Sequence, residues 1–436
     1  MSLIDNISNK EISLFILSIG ILISPYNLSA AEADSAEIKI ITSETPVELN
    51  IETERAIVEN PDEPETIEDL IQENQNTSSA IDTTEQLPLS ILKEVVNPGE
   101  LRELSWSAGQ SFSGKTVKPP VIVVRGRTPG PVLCLVAATH GDELNGIEIV
   151  RRVIRNLDPM KINGTVIAVP IVNIYGFTAN SRYLPDRRDL NRYFPGNATG
   201  SAASRIAHRF FTQIIKHCNY VVDFHTGSFK RNNLPQLRAD MNNTQVQEFV
   251  GHFGSTAVLH KSGHGKTLRS AATQAGIPTV AFELGQPGSL QEEYVESGIE
   301  SINALISNLG IIKKRYFWNE PQPIYYSSRW IRVNSGGILI SKVEIGSDIK
   351  TNQLLGYIIN PLTTEEIRIQ SPIKGRVLGM ALNQFMLPGY AAFHIGVSSN
   401  TSSIVDDEQL NNEDNDESDE NSNEYDVQTS DDDELH

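Results

Sequence analysis

The sequence predicts an α/β domain with a mostly parallel mixed sheet flanked by helices, followed by a small all-β module. Two patterns carry this prediction. Between residues 121 and 309, short apolar runs alternate with helical periodicity, as strand–helix repeats do. After about residue 322 the helical patterns stop, and short strands separated by Gly, Pro, Asn and Asp turns replace them.

Taken in order, the chain of 436 residues opens with an apolar run, Ile12 to Ile23. Pro25 and the small residues Ser29-Ala30-Ala31 follow it. The run is short for a membrane span, and small residues stand where a signal peptidase cuts. Residues 1–31 therefore read as a secretory signal, with an uncleaved N-terminal anchor as the alternative. No cysteine follows the run, which excludes a lipoprotein. The expectation is an exported, periplasmic protein with no stable membrane span once the signal is removed.

Charge divides the rest. The net charge is −19. Residues 32–98 carry 17 acids against 3 bases, and residues 405–436 carry 15 acids and no base. The body between them is therefore net basic. Segments 32–98 and 401–436 read as an acidic linker and an acidic tail, both disordered. A basic body suits an anionic substrate or an anionic surface, with solubility balance as the plainer reading. No zinc finger, basic zipper or aromatic RNA-binding signature is present, so nucleic acid is not expected.

Within 99–321, strands are predicted at 121–124, 132–138, 165–172, 220–224, 256–259 and 277–282. Helices are predicted at 146–156, 204–218, 245–253, 268–275 and 290–309. Cys134 lies inside an apolar strand and Cys218 follows a helix; two cysteines do not define a disulfide framework. In 322–400, the run from Gly337 to Val377 resembles a lipoyl-type barrel-sandwich. The lysine-bearing hairpin tip of a carrier is missing, so the module reads as one for packing or substrate gating.

Three strand ends carry chemistry. Val132 to Ala138 leads into Thr139-His140-Gly141-Asp142-Glu143, and Tyr220 to Phe224 into His225. Ile277 to Phe282 leads into Glu283. Strand carboxyl ends in open α/β sheets are where ligands bind. A His/Glu/His set is the ligand group of a catalytic zinc that keeps a position open for water. Zinc-bound hydroxide would then be available at neutral pH, with Glu283 as general base and proton donor to the leaving amine. Each residue also has a plainer reading. An H-x-x-E pair often marks a helix start, where the dipole favours the glutamate. His225 alone reads as a core histidine, and Glu283 alone as a capping or salt-bridging acid. Asp223 could orient a ligand histidine or be an ordinary loop acid. The loop from Asn180 to Gly196 sets Arg182, Arg187, Arg188 and Arg192 among Tyr, Leu, Pro and Phe, which argues that it packs and binds carboxylates.

The motifs His140-Gly-Asp-Glu143, Asp189-Leu-Asn191-Arg192, Asp223-Phe-His225 and Phe282-Glu283-Leu-Gly285 together resemble the succinylglutamate desuccinylase/aspartoacylase family. The resemblance covers roughly residues 100–400. It implies a zinc carboxypeptidase-like fold and one Zn2+ per chain on His140, Glu143 and His225, with Glu283 as catalytic acid/base. It further implies that Asn191 and Arg192 hold a substrate carboxylate, that Arg182 polarises the scissile carbonyl, and that Arg269 is a further carboxylate-binding arginine. The segment 227–238 has no aspartoacylase counterpart, which points to a specificity set by Lys230, Arg231 and the substrate-binding Arg238. The expected activity is zinc-dependent amide hydrolysis of an N-acyl amino acid. A zinc carboxypeptidase acting on short or peptidoglycan-derived peptides is the second reading, and a non-catalytic binding protein the third.

Overall fold

The apolar runs do become neighbouring strands, and their alternation divides them between two cores. In the computed structural model, residues 86–110, 114–262, 265–314 and 322–397 are described. The expected signal, most of the acidic linker and the acidic tail lie outside them. Strand Thr128–Val136 sends Leu133, Leu135 and Ala137 to one side and Cys134 and Val136 to the other. Successive side chains of a strand point to opposite faces, so a strand apolar on both faces must be covered twice. Helices Asn145–Arg155, Thr244–Val250 and Glu292–Asn308 cover the first face. Helices Ala202–Gln213 and Leu268–Gln274 cover the second.

The first helix shows the local logic. Ile149, Val150, Val153 and Ile154 recur at helical spacing and are buried, while Glu148, Arg151 and Arg152 pair on the outer side. Gly146 is required, because a Cβ there would stand 2.4 Å from Phe224 on the strand beneath.

One sheet of thirteen strands organises the described residues. Its centre is parallel: Asn163–Val169, Thr128–Val136, Tyr220–His225 and Thr279–Gly285 lie side by side. Its flanks are largely antiparallel, with Ala257–His260 and Ile324–Tyr325 as parallel exceptions, which corrects the expectation of a mostly parallel sheet. Pro120–Arg125 and Glu100–Ser105 extend one side, and Arg231–Ala239 the other. The reason lies in the connections. A parallel neighbour needs a crossover of about a dozen residues. Only residues 226–230 separate Tyr220–His225 from Arg231–Ala239, so the chain turns straight back. Pro235 is tolerated in that returning strand because it sits at the register shift between Asn233 and Gln236.

The expected boundary at 321/322 is not a break in this sheet. Gly375–Ala381 pairs with Arg231–Ala239, and Ala391–Val397 and Ser327–Arg332 continue outward. A second sheet, Glu366–Gln370, Leu354–Ile359, Gly337–Ser341 and Phe385–Met386, closes over them around Leu339, Leu355, Val377, Phe393 and Ile395. The end of the expected linker takes part in the fold. A hairpin of Leu89–Ile91 and Glu94–Val96 puts Ile91 and Val96 into the second core.

Cys134 and Cys218 are joined by a disulfide, their Cα atoms 5.8 Å apart. It ties the strand that leads to His140 to the segment that enters the strand ending at His225. Among the described residues, no helix is long and apolar enough to cross a membrane.

Candidate active site

Strand Thr128–Val136 ends in a tight turn. Ala138 takes a left-handed φ of 50°, and Gly141 packs so closely that a Cβ would lie 2.0 Å from the Gly176 backbone. The turn delivers His140 and, three residues on, Glu143. From the next strand, His225 arrives beside them. One ligand atom from each of the three lies within 4.8 Å of the others. No other such group of His, Cys, Asp or Glu occurs among the described residues.

The Glu143 carboxylate bridges the two rings. Its Oε1 lies 2.8 Å from His140 Nδ1, and its Oε2 lies 2.9 Å from His225 Nδ1. Each remote ring nitrogen faces its own carboxylate: His140 Nε2 is 3.0 Å from Asp189 and His225 Nε2 is 2.9 Å from Asp223. Those carboxylates are held in turn. Thr139 Oγ1 donates to Asp223, and the backbone N–H of Asn191 donates to Asp189. A carboxylate on the remote nitrogen fixes tautomer and ring orientation, and turns the other nitrogen's lone pair inward. Asp189, quoted above only as part of a motif, thus has a definite task, and Asp223 orients His225.

All five groups are buried, and their charges are coupled. Burial opposes charge on His225, but Asp223 and Glu143 outweigh it and raise its pKa well above the usual value. Burial and Arg182 likewise oppose a proton on His140, and Glu143 and Asp189 overcome them. Burial would raise the pKa of Glu143, yet His140 and His225 hold it well below the ordinary carboxylate range. Asp189 is held low against its burial by His140 and Arg182.

The donor set fits a divalent cation. With both histidines neutral, three buried carboxylates face a single guanidinium, which leaves two negative charges to balance. Inward lone pairs on two imidazoles and a carboxylate are the donors that zinc prefers.

Arg182 caps this set. Its Nη1 is 3.1 Å from Glu143 Oε1 and its Nη2 is 3.0 Å from Asp189. Its Nε is buried without a hydrogen-bond partner. Glu283 lies in register with His225 on the adjacent parallel strand, so both side chains leave the same face of the sheet. It is buried, accepts from Asn233 Nδ2 at 3.0 Å, and pairs with Arg238 Nε at 3.4 Å. Asn233 was invisible in the sequence, because nothing announced its strand.

The other expected residues make scaffold contacts. Asn191 Oδ1 accepts from the Leu268 backbone N–H, so half of its amide serves the scaffold. Arg192 donates to the Asn191 carbonyl. Arg269 donates to the carbonyls of Lys261 and Ser262, with a pKa lowered to about 10 by burial and by Arg238. Arg231, expected at the site, lies over the Trp330 ring at 5.0 Å.

Fold and site together define an α/β protein with a candidate metal centre at the ends of adjacent parallel strands. Residues 129–309 match the succinylglutamate desuccinylase/aspartoacylase catalytic domain. The chain is 25% identical over 268 residues to the N-alpha-acetyl-L-2,4-diaminobutyric acid deacetylase of Halomonas elongata, covering 59% of this chain and 78% of that one. Among solved structures, a succinylglutamate desuccinylase/aspartoacylase from Rhodobacter sphaeroides matches with TM-score 0.63 at 22% identity, over 72% of this chain and all of that one. The product-bound ectoine utilization protein EutE (DoeB) from Ruegeria pomeroyi matches with TM-score 0.63 at 21% identity, with the same coverage. These two show likeness of fold. Residues 129–309 are thus a succinylglutamate desuccinylase/aspartoacylase catalytic domain, and that match and the relative together indicate an amide hydrolase of the deacylase type.

Proposed function

We propose that this protein is a zinc-dependent deacylase that hydrolyses the amide of a small N-acyl amino acid. The observation that carries the reading is the convergence of His140, Glu143 and His225, each histidine steadied by its own carboxylate, with buried Glu283 in register beside them. Bound at this set, zinc would supply a Lewis acid for the scissile carbonyl and bring the pKa of water toward neutrality. Glu283 takes the proton from the attacking water and passes it to the leaving nitrogen, while Asn233 holds its Oε2 and Arg238 faces its Oε1. The unpartnered Nε of Arg182 is a donor for the carbonyl oxygen as charge develops there. Arg192, Arg238, Arg269 and the amide nitrogen of Asn191 are the groups we assign to the substrate carboxylate. The relative's substrate makes N-acetylated diamino acids the first compounds to assay. Hydrolysis of such amides by the zinc-loaded protein, with little turnover of short peptides, is the expected result. The reverse preference would favour the carboxypeptidase reading.

We also propose export to an oxidising compartment. The Cys134–Cys218 disulfide supports it, since such bonds persist outside the reducing cytosol, as does the apolar run at Ile12 to Ile23.

The histidine shifts set the sign of one pH effect. Their pKa values are raised in the metal-free fold, so zinc must displace protons from His140 and His225. Zinc uptake is therefore expected to release protons, and affinity to rise with pH. Titration calorimetry in two buffers of different ionisation enthalpy measures this. An affinity independent of pH, with no proton release, would contradict it.

A further inference from the structure

Phe229 is 47% exposed, and its ring lies 5.7 Å from the Arg182 guanidinium carbon. A large, half-exposed apolar side chain at the rim of a polar site needs a reason. The backbone is also set in an unfavoured way. Phe229 and Lys230 have consecutive φ values of 52° and 58°, in the left-handed region that non-glycine residues rarely adopt.

The surrounding structure holds this arrangement from two sides. From the catalytic strand, the Gly285 carbonyl accepts from the Gly227 N–H at 2.9 Å. From the connection between Gly375–Ala381 and Phe385–Met386, Leu382 N–H and Gln384 Nε2 both donate to the Lys230 carbonyl, at 2.9 and 3.2 Å. Arg231 over Trp330 anchors the far end of the loop. Gly227 is obligatory, because a Cβ would meet the Arg231 carbonyl at 2.3 Å. Strain that neighbours over-determine is found at ligand clamps.

We propose that Phe229 is the specificity-determining residue of the site, forming an apolar wall for the acyl group of the substrate. The inference rests on the amide-hydrolase reading and deepens it. Arg182, against which the ring packs, is the group assigned to the scissile carbonyl, so the ring stands on the acyl side. Its face offers no charge and no hydrogen bond. The flanking Arg182 Nη atoms are already engaged by Glu143 and Asp189. An uncharged acyl group gains there by losing water, whereas a dicarboxylic acyl group would strand a carboxylate against the ring. The C-terminal strands enter specificity by fixing the loop that carries this wall.

The test is a series of amides of one amino acid with acetyl, butanoyl and succinyl groups, hydrolysed by wild type, Phe229→Ala and Phe229→Leu. Wild type is expected to prefer butanoyl and acetyl over succinyl. Phe229→Ala should cut kcat/KM for the butanoyl amide by about 10-fold or more, with little change for succinyl, since apolar pocket contacts discriminate on that scale. Phe229→Leu should recover most of the preference. An equal loss on all three amides, or an unchanged butanoyl-to-succinyl ratio in Phe229→Ala, overturns the proposal. Failure of the wild type to hydrolyse any of the amides would instead sink the amide-hydrolase reading, and this inference with it.

Discussion

Glu283→Gln is expected to lower kcat for amide hydrolysis by about 10²–10⁴-fold, the usual contribution of a positioned proton carrier. The substitution keeps the shape of the side chain, and an amide oxygen can still accept from Asn233 Nδ2. It removes the group that takes a proton from water and returns it to the leaving nitrogen. Arg238 would then face a neutral partner where it now has a carboxylate at 3.4 Å. Zinc content should be unchanged, because Glu283 is not among the converging ligand atoms. Steady-state kinetics alongside elemental analysis separates the two effects. A Gln variant that keeps wild-type kcat would remove Glu283 from the chemistry. One that loses both zinc and activity would make it part of the metal site.

His225→Ala is expected to abolish zinc retention and to take hydrolysis to the uncatalysed background. The variant loses one of three ligand atoms and leaves both Glu143 Oε2 and Asp223 without their shared partner. Buried carboxylates stripped of a charged partner are costly, so its melting temperature should also fall. The same reasoning gives Asp189→Asn a smaller effect, about 10–100-fold in metal affinity, as for other groups that orient a ligand. Zinc analysis after dialysis and a thermal scan measure both variants. Full zinc occupancy in His225→Ala would show that the metal, if bound, is held elsewhere.

The strands and helices around the site were legible because they are long, apolar and periodic. Leu133 to Ala138 and Tyr220 to Phe224 left no doubt about buried strands, and the ligand residues stood at their ends. Asp223 as a partner for His225 was one of the two readings its position allowed. Arg231–Ala239 stayed hidden because Asn232, Asn233, Pro235 and Gln236 break every strand pattern. Its stability comes from pairing with two long neighbours, Thr279–Gly285 and Gly375–Ala381, and from Gln236 Nε2 donating to the Leu378 carbonyl. With that strand hidden, Asn233 and the antiparallel flank were hidden too. Arg231 was harder to place for a related reason. Charge pattern says that an arginine is near a site, but only the direction in which its strand leaves Phe229 shows that it reaches Trp330. The continuity of the sheet into the C-terminal strands is likewise a pairing between distant segments, which local periodicity does not encode.

The proposed function requires hydrolysis to run at the His140, Glu143 and His225 set with zinc bound there. Stripping the wild-type protein with a chelator and adding zinc back in increments, while following both bound metal and hydrolysis of an N-acetylated amino acid, tests it most directly. Activity is expected to vanish on stripping, to return in proportion to zinc, and to level off at one ion per chain. Undiminished hydrolysis by the metal-free protein would contradict the claim.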